Sequence, residues 1–290
     1  MSKIKIAEKF FSVQGEGRYQ GVPSVFLRTF GCNFKCRGFG RDIASIPKDE
    51  THNPEVVAVI NDLSLYKNYK DLPLVKSGCD SYAAVYPEFK NLSPLLSVDD
   101  LAQKIVDLLP FKEWRDEHLV ITGGEPLLGW QRAYPDLLEH PLMAGLTEIT
   151  FETNGTQELS NDFRHYLLNV WQNAARPERE VTFSVSAKLS GSGETREEAI
   201  QPSIVCAYQE VGYTYLKFVV ASEKDVDEAL EVIDIYRSAG FRGPVYLMAE
   251  GGVVETHTLN TQKVALLALK HGLRYSARLQ VDLFRNQWGT

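Results

Sequence analysis

The chain lacks the features that would take it to a membrane or to nucleic acid. No run of eighteen apolar residues occurs among its 290 residues, so no membrane-spanning helix is expected. The N-terminal stretch MSKIKIAEKFFSVQGEG mixes charged and apolar residues and has no apolar core of the kind a secretory leader needs, so a cytoplasmic location is expected. Lys and Arg number 31 against 38 Asp and Glu, a net charge of −7, and no basic block gathers the positive charge in one place. A nucleic-acid surface needs such a concentration to displace phosphate counterions. Histidines number only six and show no metal or triad spacing. The four cysteines (Cys32, Cys36, Cys79 and Cys206) do not suit a disulfide framework in a cytosolic chain of this length, which leaves metal ligation or plain burial. Internal repeats and low-complexity tracts are also missing.

What remains is an ordinary globular composition, 44% hydrophobic and 24% charged, in a chain long enough to bury a substantial core. A strand, PSVFLRTFG (23–31), leads into Cys32. After the amphipathic VDDLAQKIVDLL (98–109), strand patterns recur in HLVITGG (118–124), LTEITFETNG (146–155), EVTFSVSAK (180–188), YTYLKFVVA (213–221) and GPVYLMAEGG (243–252). Between the later ones, helices are predicted over 160–174, 222–240 and 260–272. SEKD and NTQK serve as N-terminal caps, and Gly240 and Gly272 stand at C-caps. This alternation argues for a parallel α/β sheet or barrel. Residues 37–78 do not fit it: they are polar and turn-rich around one short helix near 54–66, and read as an insertion in a single domain spanning 1–290.

The motifs GCNFKC, TGGEP, ETNG, SAK and AEGG each sit just after an apolar strand core, so in a barrel-like fold they converge on one mouth. Cys32 and Cys36, with three residues between them in a loop, suit iron–sulfur ligation, although the pair alone is equally well explained by two unrelated buried cysteines. No partner pair completes a zinc site. In TGGEP the glycines permit close backbone approach to a ligand and Glu125 could receive an ammonium; taken alone, the motif is also a plain strand-to-helix turn.

Together these elements resemble the radical S-adenosylmethionine (SAM) superfamily, and within it the 7-carboxy-7-deazaguanine synthases. The resemblance runs through FSVQGEGRYQGVPSVFLRTFGCNFKC (11–36), TGGEPLL (122–128), ETNGT (152–156), SAKLSGSG (186–193), LKFVV (216–220), LMAEG (247–251) and ARLQVDLFRNQWGT (277–290). It implies an α/β fold, an incomplete (β/α) barrel, with the inserted segment after its first strand. The family's loop reads GCNxxCxxCDT; here the third cysteine is displaced, and GCDSY (78–82) supplies the ending. The resemblance therefore implies a [4Fe–4S] cluster on Cys32, Cys36 and Cys79 with a 42-residue insertion, 37 to 78, between the last two. Cys206 is the rival third ligand, although its apolar neighbours favour burial.

The same resemblance places Mg2+ at Ser81, where the family has threonine, with the alternative that Ser81 is a surface-turn serine. It places SAM against Gly124, Glu125, Glu152, Asn154, Ser186 and Lys188, the last of which is otherwise a solvated strand-end charge. It places a carboxylated pterin against Gln14, Glu16, Arg28, Thr122 and Gln280. An Arg inside an apolar strand costs desolvation unless paired, which favours a site-facing Arg28 able to clamp a carboxylate. Gln280 stands where the family has His and does not titrate near neutrality.

The implied activity is radical ring contraction of 6-carboxy-5,6,7,8-tetrahydropterin to 7-carboxy-7-deazaguanine with loss of ammonia. The implied partners are an electron donor such as flavodoxin or ferredoxin, and a second copy in a homodimer. Two rivals share part of the pattern. A glycyl-radical-enzyme activase has CxxxC and GGEP but no use for QGEG or Arg28. A non-catalytic pterin- or partner-binding relative would have lost its contiguous cysteine loop.

Overall fold

The computed structural model describes residues 2–290. Nine strands form one sheet: β1 (Lys3–Val13), β2 (Pro23–Thr29), β3 (Leu95–Ser97), β4 (His118–Gly123), β5 (Glu148–Thr153), β6 (Glu180–Val185), β7 (Tyr213–Val220), β8 (Val245–Ala249) and β9 (Arg274–Ser276). Their spatial order is β3-β1-β2-β4-β5-β6-β7-β8-β9. Strands β2 and β4 to β9 run parallel, while β1 pairs antiparallel with β2 and with β3. The sheet stays open between β3 and β9, an incomplete barrel of mixed α/β type.

The two-residue period of the strands divides two environments. Leu119, Ile121, Ile149, Phe151, Val181, Phe183, Leu216, Phe218 and Leu247 are fully buried in the main core. The alternate residues Arg28, Thr122, Glu152, Ser184, Lys217 and Glu250 point instead to the inside. Phe10 and Phe26 stack at 4.8 Å over Val120 and form the floor of that interior.

The predicted strands all form, and the structure adds three, β1 and the short β3 and β9. KIKIAEKFFSV becomes β1, so the inserted segment follows the second strand and not the first. Its apolar alternation was hidden by charge and by a register shift between Ile6 and Glu8, a bulge that changes which residues face the core. Ser222 and Asp225 form a capping box at the helix Glu223–Ser238 as expected. The last long helix is Val254–Lys270, six residues longer at its start than predicted. NTQK is therefore not its cap: Asn260 lies inside the helix, and its amide donates to the Glu250 carbonyl at 3.2 Å. The predicted helix at 160–174 is α-helical over Asn161–Tyr166 and widens to a π turn over Leu167–Trp171.

Residues 37–78 carry the helix Pro54–Asn61, capped by Asn53. They bury Val56, Val59, Tyr69, Leu72 and Val75 against Tyr82, Tyr86 and Phe89 in a second small core. The Gly78 amide donates to the Phe39 carbonyl at 2.7 Å, so the two ends of the segment meet. Among the described residues no helix is long and apolar enough to cross a membrane.

Beneath the floor lies His118, fully buried, with Thr150 Oγ1 2.9 Å from its Nε2. Burial, aided by the Arg18 charge, holds its pKa down at about 3. The native state therefore binds fewer protons than the unfolded chain below the ordinary histidine value of about 6.5, and stability falls as pH drops through that window. Between pH 6.5 and 4.5 the wild type should lose about 2–3 kcal/mol more stability than His118→Gln, measured by urea unfolding at each pH. Parallel losses in the two proteins would contradict this.

Candidate active site

The C-terminal ends of the parallel strands open into a cavity of about 430 Å³, a size typical of small-molecule sites. All five glycine- or polar-rich motifs line it, through Cys32 and Cys36, Thr122 to Gly124, Glu152 to Asn154, Ser186 and Lys188, and Glu250 to Gly252.

Cys79 lines the same cavity as Cys32 and Cys36, delivered there by the Phe39–Gly78 closure. The loop that presents the first two cysteines is held from outside. Cys36 has a left-handed backbone, φ 49°, uncommon for a non-glycine residue. Its amide and that of Lys35 both donate to Glu194 Oε1, at 2.6 and 2.8 Å. Gly38 N donates to the Ser192 carbonyl at 2.9 Å. Gly124 explains the second glycine of TGGEP: a Cβ there would fall 2.2 Å from the Gly31 carbonyl oxygen and 2.8 Å from Cys32 Cβ.

Among the described residues no three Cys, His, Asp or Glu side chains close on a single ion. The three thiols instead face a common space, an arrangement in which each sulfur would hold a different iron of one cluster. Burial pushes the Cys32 thiol up to about 11 and the Cys36 thiol up to about 12, and holds Cys79 well above the usual thiol range. Thiolates in such a dry pocket require a strong neighbouring positive charge, which iron provides. The donor set thus fits a cluster. Cys206 lies on the helix Pro202–Gln209, half-buried and apart from the cavity lining, 3.5 Å from the Ala239 carbonyl oxygen.

Of the residues expected to meet SAM, Gly124, Glu152, Asn154, Ser186 and Lys188 line the cavity. Glu125 does not. It is fully buried, and its carboxylate accepts from Leu127 N, Thr153 Oγ1 and Asn154 N at 3.0, 2.8 and 2.7 Å. Those contacts brace TGGEP against ETNG. Burial raises its pKa to about 7 despite those donors. Asn154 Nδ2 donates to Asn33 Oδ1 at 2.9 Å, tying ETNG to the cysteine loop, and Lys188 Nζ donates to Ser186 Oγ at 3.1 Å.

The residues expected to meet the pterin all line the cavity. Glu16 is their electrostatic centre. It pairs with Lys217, accepts from Gln280 Nε2 at 2.6 Å and from Arg278 Nε at 3.3 Å. Burial pushes its carboxyl up, but the charges of Lys217 and Arg278 outweigh burial and bring it down to about 2. Gln14 locks the same turn, accepting from Glu16 N at 3.0 Å and donating to Glu152 at 3.1 Å. Arg28 pairs with buried Glu8 at 3.3 Å and donates to Ser81 Oγ at 2.7 Å. Gln280 keeps its Oε1 buried without a partner.

Ser81 is thus no surface-turn serine, but neither do its surroundings suit magnesium. Its oxygen faces the Arg28 guanidinium, and the adjacent Asp80 carboxylate is taken by Arg278 at 2.6 Å. Mg2+ prefers oxygen ligands, carboxylates among them, and no group of acidic side chains converges there among the described residues. Sequence reasoning missed Glu8, Asp80, Lys217, Glu194 and Arg278. A charged residue within an apolar strand, the signal that pointed to Arg28, was equally available in YLKFVV for Lys217.

No protein-family model matches the chain. A 7-carboxy-7-deazaguanine synthase of Halobacterium salinarum is 29% identical over 289 residues, covering 98% of this chain and 91% of the relative. One of Rhodopirellula baltica is 27% identical over 289 residues, covering 100% and 90%. Over nearly its whole length the chain is similar to 7-carboxy-7-deazaguanine synthases. The crystal structure of QueE from Escherichia coli shares its fold, at 19% identity and a TM-score of 0.52 over 94% of this chain and 93% of that one.

The long spacing between Cys36 and Cys79 makes the external support of the cysteine loop important. Glu194→Ala leaves the amides of Lys35 and Cys36 without an acceptor and should cost about 2 kcal/mol in denaturant unfolding. Iron bound per chain after anaerobic reconstitution should fall with it. Glu194→Gln keeps an accepting oxygen and should retain most of both. Equal behaviour of Ala and wild type would show that the loop stands without Glu194.

Proposed function

We propose that this chain acts as a 7-carboxy-7-deazaguanine synthase, contracting the ring of 6-carboxy-5,6,7,8-tetrahydropterin to 7-carboxy-7-deazaguanine with release of ammonia. The observation that carries the reading is the meeting, in one cavity, of three cysteines with Glu16 and Arg28. Cys32, Cys36 and Cys79 would hold the cluster, and Gly124, Glu152, Asn154, Ser186 and Lys188 would border SAM. When bound and reduced, that pair supplies the carbon-centred radical that starts the reaction.

The chain's own residues bind and orient. Arg28 is steered by Glu8 and Ser81, and its Nη2 makes no hydrogen bond among the described residues, so one edge remains for the substrate carboxylate. Glu16, held ionised by Lys217 and Arg278, is a fixed acceptor for the N–H donors of an aminopyrimidinone edge, and it neither gives nor takes a proton near neutrality. Gln280 donates to Glu16 and leaves its carbonyl oxygen to accept. No proton transfer is assigned to that position, where the family has His. Phe10 and Phe26 close the floor against water. Magnesium enters no step. The reading extends to a cytoplasmic homodimer reduced by a small electron-transfer protein such as flavodoxin or ferredoxin.

Anaerobic incubation with SAM, a low-potential reductant and the carboxylated tetrahydropterin should yield 7-carboxy-7-deazaguanine by mass spectrometry. SAM cleavage without that product would instead favour another radical SAM activity. Glu16→Gln removes the charge between buried Lys217 and Arg278 and should cost about 3 kcal/mol of stability, as when one partner of a buried pair is lost. Product formation per SAM cleaved should collapse in that variant; an unchanged yield would remove Glu16 from substrate recognition.

A further inference from the structure

The role of the inserted segment follows from what it holds. After the helix Leu279–Phe284 the chain turns back through two consecutive left-handed residues, Arg285 (φ 57°) and Asn286 (φ 59°). Asn286 Nδ2 donates to the Gly252 carbonyl at 2.8 Å, and residues 286–290 then run along the cavity wall. Their anchor is Trp288, and its socket comes from the insertion and the segment just after it. The indole N–H donates to the Leu72 carbonyl at 2.8 Å. The Tyr69 ring meets the indole edge-on at 4.7 Å and 81°, and Tyr82 does so at 5.7 Å and 74°.

From that anchor the tail reaches the carboxylate-clamping corner of the cavity. A Cβ added to Gly289 would lie 3.1 Å from Lys70 Nζ, on the insertion, and 3.9 Å from Glu8 Oε1, the partner of Arg28. Among the described residues that Glu8 oxygen is buried without a hydrogen-bond partner, as is the Tyr69 hydroxyl. Tyr69 itself is 6% exposed. The inserted segment therefore contributes more than a detour between two cysteines.

We propose that the insertion is the socket for the C-terminal tail and, through Tyr69 and Trp288, sets the wall of the substrate site beside the Glu8–Arg28 pair. Tyr69 and Trp288 are positioning residues: they shape the site by placing the tail. This deepens the functional reading above and rests on it.

The test is a double-mutant cycle on the full, iron-reconstituted chain, with 7-carboxy-7-deazaguanine as the calorimetric probe. Losing an edge-on aromatic contact and an indole hydrogen bond should weaken binding about tenfold in Tyr69→Ala or Trp288→Ala. Because both act through one anchor, the double variant should bind within about twofold of the weaker single variant. Tyr69→Phe, which keeps the ring, should bind like wild type, and Trp288→Phe, which keeps an aromatic ring but loses the N–H and part of the contact area, should lie between. In turnover the singles should raise KM more than they lower kcat, with iron per chain unchanged. Unchanged binding in the singles, additive losses in the double, or iron lost in step with binding would each overturn the socket. A wild-type chain that does not bind the probe overturns the functional reading and the socket with it. Wild-type binding with unaffected variants overturns the socket alone.

Discussion

One backbone hydrogen bond, from Gly78 N to the Phe39 carbonyl, lets the rest of the site exist. It closes the excursion that separates Cys36 from Cys79 and returns the chain to the cavity where Cys32 and Cys36 already stand. Replacing a two-residue spacing with 42 residues is between four and five doublings of loop length, about 3 kcal/mol of closure entropy. The segment offsets that cost with its own core. Val56, Val59, Tyr69, Leu72 and Val75 are buried, each side chain contributing about 1.5–3 kcal/mol before its own ordering is charged. An excursion that folds on itself can be long without loosening the two cysteines it separates.

A second constraint acts across the open seam of the barrel. The QGEG turn after β1 and the segment after β9 have no strand pairing to join them, and polar contacts do it instead. Gly17 N donates to Ser276 Oγ at 2.9 Å, Leu279 N to the Gly15 carbonyl at 3.2 Å, and Gln280 to Glu16. A Cβ on Gly15 would fall 1.8 Å from Gln280 Oε1, so a larger residue there would displace the amide that donates to Glu16. Arg278 ties three elements together: Glu16, Asp80 beside the third cysteine, and the Gly251 carbonyl. The groups that would recognise substrate are therefore also the groups that hold the barrel's edges together, and the charge on Glu16 serves both purposes.

Much of this was legible in the chain. The parallel strands from β4 to β8 announced themselves by apolar runs ending in glycine-containing motifs, and those motifs converge because the period of the strands carries their polar ends to one mouth. β1 was illegible because a bulge and interspersed charge broke its alternation, and Glu8 was lost with it. Lys217 and Arg278 look like ordinary charges in YLKFVV and ARLQ; only the fold shows that both are buried against Glu16. Glu125 carries a structural part its motif does not announce: its two oxygens accept from three donors of its own and a neighbouring turn. The tail's dependence on the insertion could not be read at all, since it joins segments more than two hundred residues apart.

The central claim is that Cys79, returned by the closed excursion, completes the thiolate set. The most direct measurement is iron content with electron paramagnetic resonance of the anaerobically reconstituted, reduced chain, compared among wild type, Cys79→Ala and Cys206→Ala. The account predicts a four-iron signal that responds to added SAM in wild type and in Cys206→Ala, and its loss in Cys79→Ala. A signal that survives in Cys79→Ala and vanishes in Cys206→Ala would contradict it.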